Sequence, residues 1–371
     1  MTAMRAARLH RAGTTFSIDQ VERPEPRPTD ALIRVAACGV IPNMKNVLVN
    51  WEKWHPYLPL PPFPAIYGLD AAGEVTEVGS QVHSIRAGDR VYVNPGVGCG
   101  SCLACRTGKP TGCDAYTFLG YFGFGEGSRK IYADYPYAGF GEYMTAPVNS
   151  LVKLPSSVSY EEAARFGYLG TAYSGLLKGG ARAGKTVLIS GATGTLGLGA
   201  VLLALAMGCT KVFAMARNRE LLGRVKAIDP QRIEIIYADE GSITGQVKKH
   251  TDGLGVDVFL DAIGPGAPGS VSLEGLAALQ RGGTMVVVGQ VSEPLAIDMH
   301  KLMCSGNSIV GSLWFSIAES QDMAAMKAAG TLDLSVLEHR RFPLTQINAA
   351  LDAIENRSGG FTNVVIVHDR G

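Results

Sequence analysis

Lys185-Thr186-Val187-Leu188-Ile189-Ser190, running into Gly191-Ala192-Thr193-Gly194-Thr195-Leu196-Gly197, is a compact apolar strand followed by a glycine turn, and Leu198 to Met207 behind it is apolar on every side. Strand, tight turn and buried helix in that order form a place where backbone N–H groups meet an anion: glycines let the chain approach closely, and the helix start offers orphan donors and a positive dipole end. Gly194, Thr195, Leu196 and Gly197 are the residues expected against a pyrophosphate. The first glycine of the usual G-x-G-x-x-G is Ala192 here, with Gly191 one place earlier. A glycine turn alone is weak evidence, and its neighbours strengthen it. Val187–Ser190, Val212–Met215, Ile233–Tyr237, Val256–Ala262, Thr284–Gly289 and Ser308–Leu313 are compact apolar runs, and helical segments alternate with the first five. That rhythm predicts an α/β domain built on a doubly wound parallel sheet.

The end of the second strand selects the dinucleotide. An NAD site places Asp or Glu there for the ribose hydroxyls. This chain reads Met215-Ala216-Arg217-Asn218-Arg219, with no carboxylate. Arg217, with Arg219 as helper and Ala216 and Asn218 beside them, suits a 2′-phosphate through charge-assisted hydrogen bonds, so NADP(H) is the expected cofactor. The alternative is a pair of solvated arginines at a helix start.

Residues before about 165 follow another pattern. Short β-rich runs (Ala31–Ala36, Ala72–Val78, Arg90–Val93, Gly141–Pro147) are separated by Gly/Pro turns, as in an irregular, mostly β domain. Within it, Cys99, Cys102, Cys105 and Cys113 are spaced 3, 3 and 8 apart in a Gly-containing loop. Four thiolates in that arrangement suit a closed tetrahedral site for one structural Zn²⁺, with no open position for substrate. Two amphipathic helices, Ile317–Ala329 and Thr345–Asn356, and a strand, Asn363–Val367, are expected to close the chain by packing back on the first domain.

Composition narrows the function classes. The 371 residues carry a net charge of +1 and no long basic run, so nucleic acid and anionic membrane surfaces have no electrostatic footprint. The N-terminus lacks an apolar signal core, no apolar run approaches membrane-spanning length, and seven cysteines fit a reducing, cytoplasmic setting.

The cysteine lobe, the late dinucleotide domain and the stretches Gly68-Leu69-Asp70-Ala71-Ala72-Gly73-Glu74-Val75, Val78-Gly79 and Ala87-Gly88-Asp89-Arg90-Val91 together resemble the medium-chain dehydrogenase/reductase superfamily, the zinc alcohol dehydrogenase fold. The resemblance implies a GroES-like mostly-β catalytic domain over 1–167, a Rossmann domain over 168–311, and a returning segment over 312–371. It also implies that Thr171, in Gly170-Thr171-Ala172-Tyr173, touches the nicotinamide, that the backbone near Ile263-Gly264 and Val288-Gly289 lines that pocket, and that two copies pair through the edge near Ser308–Trp314 into a homodimer.

The departures from the family matter most. Its catalytic zinc is held by a Cys after a strand, a His in Gly-His-Glu, and a third ligand before the nucleotide domain. Those places read Ile41, Leu69 (with Asp70 for the Glu) and Gly167, and the proton relay reads Asn43 and Asn46. Aliphatic side chains ligate no metal, and Cys38 with Asp70 is too small a donor set. Without a Lewis acid, reduction of a conjugated double bond suffers less than oxidation of a plain alcohol, because ordinary hydrogen bonds can hold a delocalised enolate. Zinc-free branches of the superfamily look like quinone and enoyl reductases. The expected function is therefore NADPH-dependent reduction of an activated C=C or C=O. The alternatives are an alcohol dehydrogenase or ketone reductase, and a non-catalytic NADPH-binding protein.

Candidates for handling the proton are Tyr67, which shares a face with Leu69 if the segment is extended, together with Asn43 and Asp70. Each has a structural alternative: a packed ring, a turn amide, a buried hydrogen bond. Aromatic residues crowd two loops, Trp51, Trp54, Tyr57 and Phe63 before the altered ligand position, and Tyr116, Phe118, Tyr121, Phe122 and Phe124 after Cys113. They suit a flat or bulky apolar or aromatic small-molecule substrate, or else the core of an irregular lobe.

Overall fold

The computed structural model describes residues 2–42, 44–264, 266–291, 293–357 and 359–368. Asn43 lies outside them. The nucleotide half is a six-stranded parallel sheet of β1 (Thr186–Ser190), β2 (Lys211–Ala216), β3 (Ile233–Tyr237), β4 (Val256–Asp261), β5 (Leu279–Val287) and β6 (Ser308–Gly311), in the order β3-β2-β1-β4-β5-β6. Buried on both faces, β1 and β2 read as unbroken apolar runs instead of alternating ones, as central parallel strands do. The order reverses between β1 and β4, and ligands of such sheets bind outside the carboxyl ends of the strands at that switch.

The first half is built on a seven-stranded, largely antiparallel sheet with Asp30–Gly39 near its centre, paired to Asp70–Val78 on one edge and to Thr362–Val367 on the other. The expected return of the chain end is therefore a real strand pairing, Val365 opposite Gly39 and Ile366 opposite Cys38. Bulges shift the register between Leu32 and Ile33 and between Val35 and Ala37, which turns the end of the strand toward the junction with the nucleotide half.

Four helices position the site. α1 (Met44–Trp54) carries the first aromatic loop, and α2 (Phe166–Lys178) joins the two halves. α3 (Thr195–Ala206) follows the glycine turn, and α4 (Arg219–Ile228) follows β2. α3 is buried along nearly all its length, matching its uniformly apolar sequence. No described helix is long and apolar enough to cross a membrane.

Candidate functional site

The glycine turn leaves β1 through Gly191, whose φ of +62° an L side chain rarely adopts. A Cβ on Gly197 would fall 2.1 Å from the Gly191 carbonyl oxygen, so only glycine lets α3 start this close to the strand. Gly194 caps α3 without a side-chain acceptor, leaving the first-turn N–H groups facing outward. The Thr195 hydroxyl beside them is buried and has no hydrogen-bond partner. A buried orphan hydroxyl and uncapped amides are what an absent phosphate would satisfy, and these residues fit a dinucleotide. A cleft of about 860 Å³ opens here, lined by Gly191, Thr193, Gly194, Ala216, Arg217, Asn218, Ile263 and Gly264 among others.

Around that cleft the polar side chains divide. Arg217 is exposed at the end of β2 and forms no ion pair among the described residues. The Asn218 side chain is occupied, since its Oδ1 accepts from the Leu221 N–H at 2.9 Å and caps α4. Arg219, the expected helper, is committed elsewhere: Nη2 donates to Glu240 Oε1 at 2.6 Å, and the guanidinium lies 4.4 Å from the Tyr237 ring centre. Toward the nicotinamide end, Gly289 presses on Ile263 so tightly that a Cβ would sit 2.2 Å from the Ile263 carbonyl oxygen. Val288 meets α2 at Gly175. Thr171 is half-buried on α2, its hydroxyl donating to the Gly167 carbonyl at 2.8 Å.

At the positions that the resemblance equates with the catalytic-metal ligands, Ile41 and Leu69 are buried aliphatics and Gly167 lies against Asp70. Asp70 is 3% exposed, and its Oδ1 accepts from the Tyr92 hydroxyl at 2.9 Å. Burial pushes its carboxyl up to about 7, partly offset by the Tyr92 hydrogen bond, the Arg165 charge and the Gly167 N–H. Cys38 is also buried, wedged against Gly139.

Tyr67 departs from expectation. Residues 67–69 lie between strands, and Gly68 has φ +117°, so the two-residue alternation that would put Tyr67 and Leu69 on one face is broken. The Tyr67 ring is completely buried, edge-on to Phe16, and its hydroxyl is sealed without a partner.

The cysteine lobe brings four sulfurs within 4.8 Å of one another, the one such group of His, Cys, Asp or Glu among the described residues. Cys102 N–H points at Cys99 Sγ (3.4 Å) and Cys99 N–H at Cys113 Sγ (3.5 Å). Backbone N–H groups of Ser101 and Cys102 lower the Cys99 thiol to about 6. Four convergent thiols with amide donors fit a tetrahedral zinc.

The aromatic loops mostly fill themselves. Trp51 packs on Phe122 at 4.3 Å between ring centres and Phe118 on Trp314 at 4.3 Å, while Trp54, Tyr57 and Phe63 are exposed at the rim. Trp314 and Phe315 join this packing, Phe118 against Trp314 and Trp314 against Phe315 at 4.7 Å between ring centres; the sequence reading passed over them as site residues although they form an aromatic doublet just beyond the last strand of the parallel sheet. Asn94 Oδ1 accepts from Trp314 Nε1 at 3.0 Å, and Phe315 occupies the space over Gly170, where a Cβ would fall 2.3 Å from its ring. Arg165 and Tyr168 were also missed. The one signal for Arg165 was a lone cation in an apolar stretch.

Comparison with known proteins agrees with this geometry. The alcohol dehydrogenase GroES-like domain matches residues 27–156, and the zinc-binding dehydrogenase domain matches residues 195–329. The L-threonine 3-dehydrogenase of Pyrococcus abyssi is 33% identical over 287 residues, covering 76% of this chain and 75% of its own. The alcohol dehydrogenase of Geobacillus stearothermophilus is 29% identical over 352 residues, 94% of this chain and 95% of its own. The crystal structure of AibC, 28% identical, covers 99% of this chain and 96% of that one with a TM-score of 0.83. The chain belongs to the zinc-binding, alcohol dehydrogenase-like family of the medium-chain dehydrogenase/reductase superfamily and is an oxidoreductase of that class.

Proposed function

We propose that the protein is an NADPH-dependent reductase of an activated C=C or C=O in a small apolar or aromatic substrate, with one structural zinc on the cysteine lobe and no zinc at the reacting centre. The observation that carries this reading is that Ile41, Leu69 and Gly167 stand where the resemblance puts the metal ligands, the first two buried aliphatics and the third pressed on the buried Asp70, which leaves too few donors for a catalytic metal. The Gly191–Gly197 turn and the Thr195 hydroxyl would hold the pyrophosphate, and Arg217 the 2′-phosphate. When bound, NADPH supplies a hydride. The chain itself orients the acceptor against Thr171, excludes water with Trp51, Phe118, Trp314 and Phe315, and must supply a proton to the oxygen that gains charge. A second reading, alcohol dehydrogenase or ketone reductase, is favoured by the names of the relatives.

Metal analysis with an acceptor panel tests the proposal. About one zinc per chain, with oxidation of NADPH by 4-phenyl-3-buten-2-one, is the expected result. Two zinc ions per chain, or turnover of saturated ketones and alcohols but not enones, would move the assignment to the second reading. A homodimer through the edge strand β6 accompanies the proposal. A monomer in sedimentation velocity would remove that part.

A further inference from the structure

A reductase of this kind needs a proton donor that faces the substrate, and the sealed Tyr67 hydroxyl does not. Of the first eleven residues of α2, only Tyr168 and Thr171 are not buried. They are three apart and so lie on one face, one turn from each other. Tyr168 therefore shares the open stripe of α2 with the residue placed against the nicotinamide. It also adjoins Gly167, where the Asp70 carboxylate marks the centre of the altered metal site.

The surroundings of Tyr168 are unusual in their charge. The Arg165 guanidinium lies 5.7 Å from the ring centre, is 4% exposed, and is anchored by Nη2 to the carbonyls of Thr195 (3.1 Å) and Gly360 (2.8 Å). Arg357 is the second cation near the Tyr168 hydroxyl, and its Nε–H is buried without a partner. Among the described residues neither arginine forms an ion pair with a carboxylate. Asp70 is close enough to act on both Tyr168 and Arg165 but bonds to neither. Burial, and after it the Asp70 charge, hold the Tyr168 hydroxyl above the ordinary phenol range, which keeps its proton in place at neutral pH, while the two guanidinium groups act in the opposite sense on the charge that release would leave behind.

We propose that Tyr168 is the catalytic acid of this site, donating its phenolic proton to the substrate oxygen, with Arg165 and Arg357 as positioning residues that stabilise the phenolate. The inference rests on the reductase reading above. As hydride bonds to the β-carbon of an enone, the Cα=Cβ π pair becomes the bond between Cα and the carbonyl carbon, and the C=O π pair moves onto oxygen as the enolate. The Tyr168 Oη–H bond breaks, its proton bonds to that oxygen, and the enol relaxes to the ketone. The phenolate recovers a proton from solvent, so the sum consumes NADPH and one proton. For a carbonyl acceptor hydride adds at the carbonyl carbon and the same proton goes to the same oxygen.

Tyr168→Phe removes one oxygen and keeps the ring. The probes are 4-phenyl-3-buten-2-one and trans-β-methylstyrene, which carries the same styrene unit without the oxygen. Both are titrated by fluorescence against the NADP⁺ complex, so that binding is read without turnover. The expected result is loss of about 10-fold in ketone binding, a fall of about 100-fold in kcat for ketone reduction, and hydrocarbon and NADPH affinities unchanged. Arg357→Met is expected to lower kcat with less effect on ketone binding. Unchanged ketone binding and kcat in Tyr168→Phe, with wild-type protein active, would overturn the role of Tyr168 and leave the reductase reading standing. So would equal losses for ketone, hydrocarbon and NADPH, which indicate a packing role alone. Wild-type protein that neither binds nor reduces the ketone overturns the reductase reading and this inference with it.

Discussion

Gly167 leaves the space that the Asp70 carboxylate fills: a Cβ at 167 would lie 2.3 Å from Asp70 Oδ1. The absence of a side chain at 167 is what gives the buried acid its room. Below 3.8 both folded and unfolded chains keep the Asp70 proton; between 3.8 and about 7 only the folded chain does, so stability falls as pH rises through that window. The full cost above about pH 7 is on the order of 4 kcal/mol. Asp70→Asn removes the titration. Its melting temperature relative to wild type is expected to be lowest near the bottom of that window, about pH 4, and to improve steadily toward about pH 7.5, read by scanning calorimetry. A difference that does not change with pH would show that Asp70 does not titrate in that window.

Among the described residues Arg217 is the cation of the cleft that no carboxylate holds, unlike Arg219, which Glu240 holds. Arg217→Ala is expected to weaken NADPH by about 10- to 100-fold, the equivalent of one charge-assisted hydrogen bond, and NADH far less. Arg219→Ala is expected to change neither much. Isothermal titration of both nucleotides checks this, and equal losses for NADPH and NADH in Arg217→Ala would remove the cofactor assignment.

Cys113 is the buried member of the sulfur cluster, and its Sγ accepts from the Cys99 N–H. Cys113→Ser is expected to lose most of the zinc and to lower the melting temperature, because binding of a structural zinc contributes folding energy. Atomic emission and calorimetry measure the two together. Zinc content unchanged in the variant would place the metal elsewhere.

What the sequence made legible was local. The glycine turn, the strand rhythm and the cysteine spacing each lie within a few tens of residues, and backbone geometry ties them directly to residue type. The expected change at the catalytic-metal positions rests on residue type at positions that only the resemblance assigns. What it hid was assembled from distant segments: Arg165 bonds to the carbonyls of Thr195 and Gly360, and Trp314 reaches Asn94 across 220 residues. Tyr67 shows the other failure. A period of two holds only while the backbone stays extended, and one glycine with φ +117° re-aims everything before it. Tyr168 was invisible for a simpler reason, since a half-open stripe on a buried helix appears only once its neighbours are in place.

The Asn94–Trp314 hydrogen bond gives a last test, directed at the substrate wall. Asn94 Oδ1 also accepts from the Gly96 N–H at 3.0 Å, and its amide nitrogen lies 3.3 Å from the Ser320 hydroxyl, so one side chain fixes three segments. Asn94→Leu keeps the volume but leaves Trp314 Nε1 buried without an acceptor, which costs about 1–3 kcal/mol. Trp314 is then expected to rotate away from Phe118. The expected outcome is a lower melting temperature, a red-shifted tryptophan emission, and a raised KM for 4-phenyl-3-buten-2-one with NADPH affinity unchanged, because the glycine turn lies on the other half of the molecule. If KM stays constant while the emission shifts, Trp314 braces the lobe without lining the substrate cleft, and the aromatic wall must be drawn from Trp51, Phe118 and Phe122 alone.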